Sequence, residues 1–231
     1  MFESKYSKVL TIILIIVIVA ILGLLAFLGY DYYQKYFITK QASEFVENFQ
    51  GDITSEEKND IGTNTGEGIE GNITSGGLQS TPSGPSGTGS STSTKKKYQG
   101  FTVAGTMRIP KINFEYPILE EMSSKALETG VVIYYPSGDN LNLPGNMVIG
   151  GHNYRNGLFF SNLKKLNNGD KIYVTDFRGK SVTYEVYSKF EALSTDTSFY
   201  TRDTNGLAEL TLSTCTDASN DQRTIIFAKQ V

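Results

Sequence analysis

The chain has 231 residues, 39% hydrophobic and 12% aromatic, and its 21 basic and 24 acidic side chains give a net charge of −3. That balance argues against a general nucleic-acid binder, which carries a basic patch or a high pI. One Cys and one His exclude an intrachain disulfide and are too few for a four-ligand structural zinc site.

Residues 1–8 form a short tail. Residues 9–30, VLTIILIIVIVAILGLLAFLGY, carry no charge. As a helix this run is about 33 Å long, enough to cross a hydrocarbon core of roughly 30 Å. It lacks the polar stripe of a soluble helix. It also exceeds the apolar region of about 7–15 residues in a cleaved signal peptide, and Phe27-Leu28-Gly29-Tyr30 is a poor cleavage site. The expectation is an uncleaved, single-pass anchor. Lys5 and Lys8 before the span balance Lys35 and Lys40 after it. The free amino terminus then tips the positive-inside rule toward a cytoplasmic tail and an extracytoplasmic remainder.

Residues 31–50 place Tyr32, Tyr33, Tyr36, Phe37, Phe45, Val46 and Phe49 at spacings that suit an amphipathic or interfacial helix continuing from the anchor. Residues 51–97 are polar, and 81–94 contain only Ser, Thr, Gly and Pro. Such a segment buries too little surface to offset its ordering entropy, so it reads as a disordered linker. As a coil it would give a tether with a reach of roughly 35–40 Å. Lys95-Lys96-Lys97 closes it and reads as a solvated linker end.

Residues 98–231 form the folded unit, with 13 basic against 14 acidic side chains. Strands are expected at 105–109, 114–119, 147–149, 171–176, 181–190, 208–214 and 224–229. Asn168-Gly169 and Arg178-Gly179 mark hairpin-type turns. Short helices are expected at 123–127 and 158–166. So many strands with so little helix predict an all-β domain, a closed or nearly closed barrel.

Two residues can do thiol–imidazole chemistry, Cys215 and His152, and each stands where a predicted strand gives way to a loop. A thiol is mostly protonated at neutral pH, and a nearby imidazole or guanidinium favours the nucleophilic thiolate. If the strands on either side of 216–222 are antiparallel, Arg223 comes to lie beside Cys215. An arginine there can bind a carbonyl or stabilise an oxyanion without exchanging a proton. Taken singly, each group has a bland explanation. A strand-end Cys often packs as a small hydrophobe, a His in a Gly-Gly-His-Asn turn is often structural, and an Arg at a strand start is usually a surface charge. Their coincidence at loop–strand junctions of one small domain is more informative.

Thr211-Leu212-Ser213-Thr214-Cys215, with Arg223 eight residues on, resembles the TLxTC…R signature of sortases, membrane-anchored cysteine transpeptidases of mainly Gram-positive bacteria. GTMRIPKIN at 105–113, Tyr116-Pro117-Ile118-Leu119, Pro144-Gly145-Asn146 through Gly151-His152-Asn153, and 159–166 followed by Gly169-Asp170-Lys171-Ile172 resemble further family segments in the family's order. The resemblance implies an eight-stranded sortase-type β-barrel with short helices, behind a transmembrane helix and flexible linker. It implies Cys215 as nucleophile, His152 as general acid/base and Arg223 as oxyanion stabiliser. It also implies cleavage of an LPxTG-like C-terminal sorting motif of secreted proteins through a thioacyl-enzyme, with transfer to a cell-wall precursor or pilin amine.

A membrane-tethered cysteine hydrolase and a non-catalytic extracytoplasmic β scaffold are the alternatives. Class is unresolved: the motifs around Cys215 and His152 look like class B, but the short connection near 191–207 is closer to class A or D. Thr214, Leu193 and Tyr200 are the expected substrate-binding residues, with Phe199 as a further groove candidate. Asp217 reads as a turn cap, or else as an orienter of His152. No cofactor is expected, although Glu115, Glu120, Glu121 and Glu191 could contribute to a calcium site of the class A kind.

Overall fold

The computed structural model describes residues 3–59 and 95–231. Helix α1 (Glu3–Asn59) runs without a break through the apolar run and beyond it. Every large apolar side chain from Val9 to Leu28 is exposed, as a lipid-facing helix requires. Farther along, the same helix turns its apolar face to protein. Ala42, Val46 and Phe49 are buried, and Phe45 meets the ring of Tyr98 edge-on at 5.0 Å. Burial of Val46 and Phe49 contributes roughly 1.5–3 kcal/mol each.

The rest is a barrel. After β1 (Lys97–Tyr98) come β2 (Phe101–Ile109), β3 (Phe114–Leu119), α2 (Ser124–Thr129), β4 (Val131–Tyr135), β5 (Gly145–Gly150), β6 (Lys171–Asp176), β7 (Ser181–Leu193), β8 (Ala208–Cys215) and β9 (Gln222–Gln230). The sheet order is β1-β2-β3-β4-β5-β8-β9-β7-β6, and β6 pairs back onto β2. Eight strands, β2 to β9, therefore form a closed ring, which leaves them no free edges. β1 is a two-residue addition to β2. Met107, Ile118, Ile149, Leu163, Ile172, Leu210 and Leu212 are among the buried core.

The seven strands expected from sequence are all present. The eighth, β4, was not anticipated. The helix expected at 123–127 is α2, with Ser123 capping it by accepting from the Ala126 N–H at 3.1 Å. The one expected at 158–166 is a 3-10 segment, Phe160–Lys165, entered through Phe159 at φ 49°. The expected turn glycines Gly169 and Gly179 both have positive φ.

The linker reading changes at both ends. Residues 60–94 lie outside the described residues. Residues 51–59 prolong α1 rather than begin a coil. Lys95 pairs with Glu120 and Asp139, and Lys96 pairs with Asp52 of α1. The lysine triplet is thus an anchoring point on the chain's own acids, not a solvated end. α1 itself touches β3 through Thr39···Tyr116 and Ser43→Glu115 (3.1 Å), so the barrel packs against the helix.

Candidate active site

β8 and β9 are antiparallel, and the register sets Cys215 directly opposite Arg223. The turn between them is closed by the Thr216 N–H donating to the Gln222 carbonyl (3.1 Å). Cys215 is a free, half-buried thiol at the end of its strand. Arg223 donates from Nη1 to the carbonyls of Asn220 (2.5 Å) and Gln222 (3.2 Å). Among the described residues its Nε and Nη2 carry no hydrogen bond, which leaves N–H groups for a ligand.

His152 reaches the same place by another route. β5 runs parallel to β8, with Gly150 opposite Ser213. Beyond the last pair the two chains stay stitched together. The Gly151 N–H donates to the Ser213 carbonyl (3.2 Å), and Thr214 Oγ1 donates to the Gly151 carbonyl (2.7 Å). Asn153 Nδ2 donates to the Cys215 carbonyl and to Asp217 Oδ1, both at 2.9 Å. The residues on each side of His152 are thereby tied to the residues around Cys215. Hydrogen bonds to buried partners of this kind are costly to remove.

Burial lowers the His152 imidazole below its ordinary value, and the carboxylate of Glu128 on α2 opposes this. The sequence reading considered Asp217 as the group that orients His152. The structure instead places Asp217 against Asn153 and Lys164, and these contacts, Lys164 first, hold its carboxyl below the usual range.

Tyr134, which sequence reasoning passed over, stands at the same seam. Pairing between β4 and β5 shifts register between Ile133 and Tyr135, so Tyr134 is the extra residue of a bulge, a device that re-aims a side chain. Its ring lies where a Cβ on Gly150 would be. Burial raises its hydroxyl, the Arg223 charge opposes that, and Tyr200 and Cys215 add to the rise. Tyr200 is likewise raised by burial and held back by Arg223. The Arg223 charge thus reaches both Tyr134 and Tyr200. The signal available in sequence was the Gly150-Gly151 pair before His152, since two successive glycines mark close approach by other groups.

Of the residues expected to bind substrate, Tyr200 packs on Tyr135 at 5.9 Å, within the field of Arg223. Leu193 is exposed at the end of β7, opposite Gln222. Thr214 is buried, with its hydroxyl committed to Gly151. Phe199 packs between Phe190 and Phe227, and Asn146 Nδ2 holds the Phe199 and Tyr200 carbonyls at 3.1 and 3.0 Å. Three of the four glutamates considered for calcium have other placements. Glu115 accepts from Ser43, Glu120 pairs with Lys95, and Glu191 lies on β7. Among the described residues no group of three or more His, Cys, Asp or Glu side chains could hold a metal ion.

A closed eight-stranded barrel with Cys and Arg paired across β8 and β9 and a His loop stitched beside them defines the class. The chain belongs to the sortase family: the Sortase domain model matches residues 107–231. Among curated relatives, Sortase A of Bacillus anthracis is 28% identical over 54% of this chain, and Sortase D of Bacillus subtilis (strain 168) is 32% identical over 65% of it. The matches span 58% and 77% of those two proteins. Among solved structures, Sortase A from Corynebacterium diphtheriae is 31% identical with a TM-score of 0.52, over 57% of this chain and 61% of that one. A Clostridium perfringens Sortase D5 transpeptidase is 27% identical with a TM-score of 0.50, over 56% of this chain and 79% of that one.

Proposed function

We propose that the chain is a membrane-anchored cysteine transpeptidase. The observation that carries this reading is the register pair Cys215–Arg223, with Asn153 tying the His152 loop to the Cys215 carbonyl. The Cys215 thiolate attacks a backbone carbonyl in an LPxTG-like C-terminal sorting motif of a secreted protein. The developing oxyanion is met by Arg223, whose free N–H groups need no proton exchange. Collapse breaks the C–N bond, and His152 gives its proton to the departing amine. The thioacyl-enzyme is then attacked by an amine of a cell-wall precursor or pilin. His152 takes the proton from that amine, and the Cys215 thiolate leaves. Residues 9–30 anchor the chain in one pass with the barrel extracytoplasmic, and residues 98–231 carry the chemistry. Tyr200 and Leu193 line the approach to the site, and Thr214 acts beneath it by holding Gly151.

The protonation state limits the rate. For an ordinary thiol near 8.5 and imidazole near 6.5, thiolate and imidazolium coexist in about 1 molecule in 100. Burial of His152 lowers that fraction further. Turnover is therefore slow, with a bell-shaped pH profile.

Mass spectrometry of the full chain with LPxTG-like and NPxTN-like peptides, with and without an amine acceptor, tests the reading. A thioacyl adduct on Cys215 that an amine converts to a ligated product is expected. An adduct resolved only by water makes the protein a hydrolase. No adduct with any peptide, or surface attachment unchanged in Cys215→Ala, sinks the enzyme reading. Arg223→Lys is expected to rescue poorly because the fork of donors is lost, and full activity in that variant removes Arg223 from the oxyanion role.

A further inference from the structure

The loop that carries His152 is held at its far end by an aromatic residue in an unfavourable conformation. Phe159 has φ 49° and ψ −126°, a region that residues with a Cβ rarely occupy and that persists only when the surroundings over-determine it. The surroundings do so. Phe159 bridges to Asn153, and the next N–H, of Phe160, donates to the His152 carbonyl at 3.0 Å. The Phe159 ring sits between Tyr116 (5.2 Å) and Tyr154 (5.7 Å), and Tyr154 packs on the His152 ring at 4.8 Å.

Tyr116 is the link outward. Its ring packs on Phe159, and its hydroxyl meets Thr39 of α1 at 3.4 Å. Thr39 begins the stretch of α1 that is docked on the barrel through Ala42, Ser43, Phe45, Val46 and Phe49. Beside this link the helix and the loop are separated by a cavity of about 150 Å³ bordered by Thr39, Asn113, Tyr116, Gly157, Phe159 and Asn162. The helix therefore reaches this side of the loop through Tyr116 rather than by close packing against it.

We propose that the docked part of α1 is a positioning element for His152, acting through Tyr116 and Phe159. Anchor and active site are then one mechanical unit: a barrel released from its membrane helix keeps its Cys215–Arg223 pair but loses the aim of its proton donor. This rests on His152 being the acid/base of the proposed reaction, and its test has a readout that does not.

His152 is the only histidine, so the full chain labelled with ¹³C-histidine in detergent micelles gives a single ring resonance. Its titration is compared in the parent, Val46→Asp, Val46→Ile and Tyr116→Phe, alongside the rate of thioacyl formation. The groups that face the loop are Glu128 from α2, Tyr154 and Arg155 from the loop itself, Lys164 from the following 3-10 segment, and Cys215 and Asp217 from the end of β8. Tyr116, packed on Phe159 from β3, is the one ionisable neighbour altered, and only in Tyr116→Phe.

Val46→Asp, by undocking the helix, and Tyr116→Phe, by cutting the link, are expected to raise the His152 titration toward that of a free imidazole. Each should lower kcat about tenfold, since small misplacements of a reacting group are costly, with KM within about twofold. Val46→Ile, which keeps an apolar side chain in the dock, is expected to leave both at the parent's values. If amide hydrogen exchange of residues 42–49, buried side included, rises in Val46→Asp, yet the His152 titration and kcat match the parent, the proposal is overturned. Tyr116→Phe, which keeps the ring and the dock, decides alone should the Asp variant not fold: an unchanged titration overturns the proposal. If the parent forms no adduct but its titration still responds to Tyr116→Phe, the proposed reaction fails and the coupling stands.

Discussion

Gly151→Ala is the sharpest single test of how the His152 loop is built. Gly151 does not sit at positive φ, so the substitution is resisted by space alone. A Cβ there would stand 2.8 Å from Val131 Cγ1 and 2.9 Å from Phe160 Cδ2. Ordinary carbon–carbon contact is about 3.5–4.0 Å, so each neighbour must give by nearly 1 Å. Val131 and Phe160 are both wholly buried, and neither can swing into solvent. Overpacking of this kind costs roughly 1–3 kcal/mol, or a fall in Tm of several degrees for a domain of this size. The chain has no Trp, so tyrosine fluorescence on heating is the readout. Because Gly151 also holds Ser213 and Thr214, the displaced backbone carries His152 with it, and thioacyl formation slows. Val131→Ala removes the atom that clashes. Alone it leaves a cavity and costs about 1–3 kcal/mol; combined with Gly151→Ala it is expected to cost less than the two single changes together. Strict additivity of the pair, or an unchanged Tm and rate in Gly151→Ala, would refute the steric account.

Three further outcomes follow from the geometry. Asn153→Ala leaves the Cys215 carbonyl without its donor and Asp217 without one of its partners; a loss of about 1–3 kcal/mol in stability is expected by denaturation, with a lower kcat. Glu128→Gln removes the charge that partly offsets the burial of His152, so the imidazole titrates lower. The acid limb of the pH–rate profile then moves to lower pH and its plateau falls, and an acid limb that moves up would reverse the sign of this electrostatics. Removing about ten residues within 60–94 leaves activity on membrane-held substrates unchanged, because loop closure depends only weakly on length; a graded loss of activity with each residue removed would restore the tether.

Much of the candidate site was legible because it is local. Cys215 and Arg223 flank one short turn, and antiparallel pairing across that turn leaves little choice of register. His152 is 63 residues from Cys215, and only the resemblance joined them. The parallel β5–β8 pairing that does so in the structure has no signature in one chain. Strand β4 was missed because Val131-Val132-Ile133-Tyr134-Tyr135 has no alternation to read. It is buried at its start, bulged at Tyr134 and only five residues long, and short apolar runs do not reveal their state by period. With β4 went Tyr134; Glu128 lies one residue past the helix expected at 123–127 and touches the site only through the fold. The 3-10 segment after Phe159 looked α-helical because its buried residues fall three apart, at Phe160 and Leu163, a spacing both helices share.

The linker shows where composition stops being informative. A Ser/Thr/Gly/Pro run reports that a segment cannot fold by itself, but it carries nothing about where its two ends lie. Here one end is held by the other's neighbour: Asp52 on the outgoing helix pairs with Lys96 just before β1, and Phe45 with Tyr98 on β1. The apolar spacing of Phe45, Val46 and Phe49 was visible, yet a face that binds lipid and a face that binds a barrel have the same period. The difference lies in the partner. Once the partner is β3 and Tyr116, the separation of Cys215 and Arg223 from the apolar run at 9–30 follows a helix that rises 1.5 Å per residue.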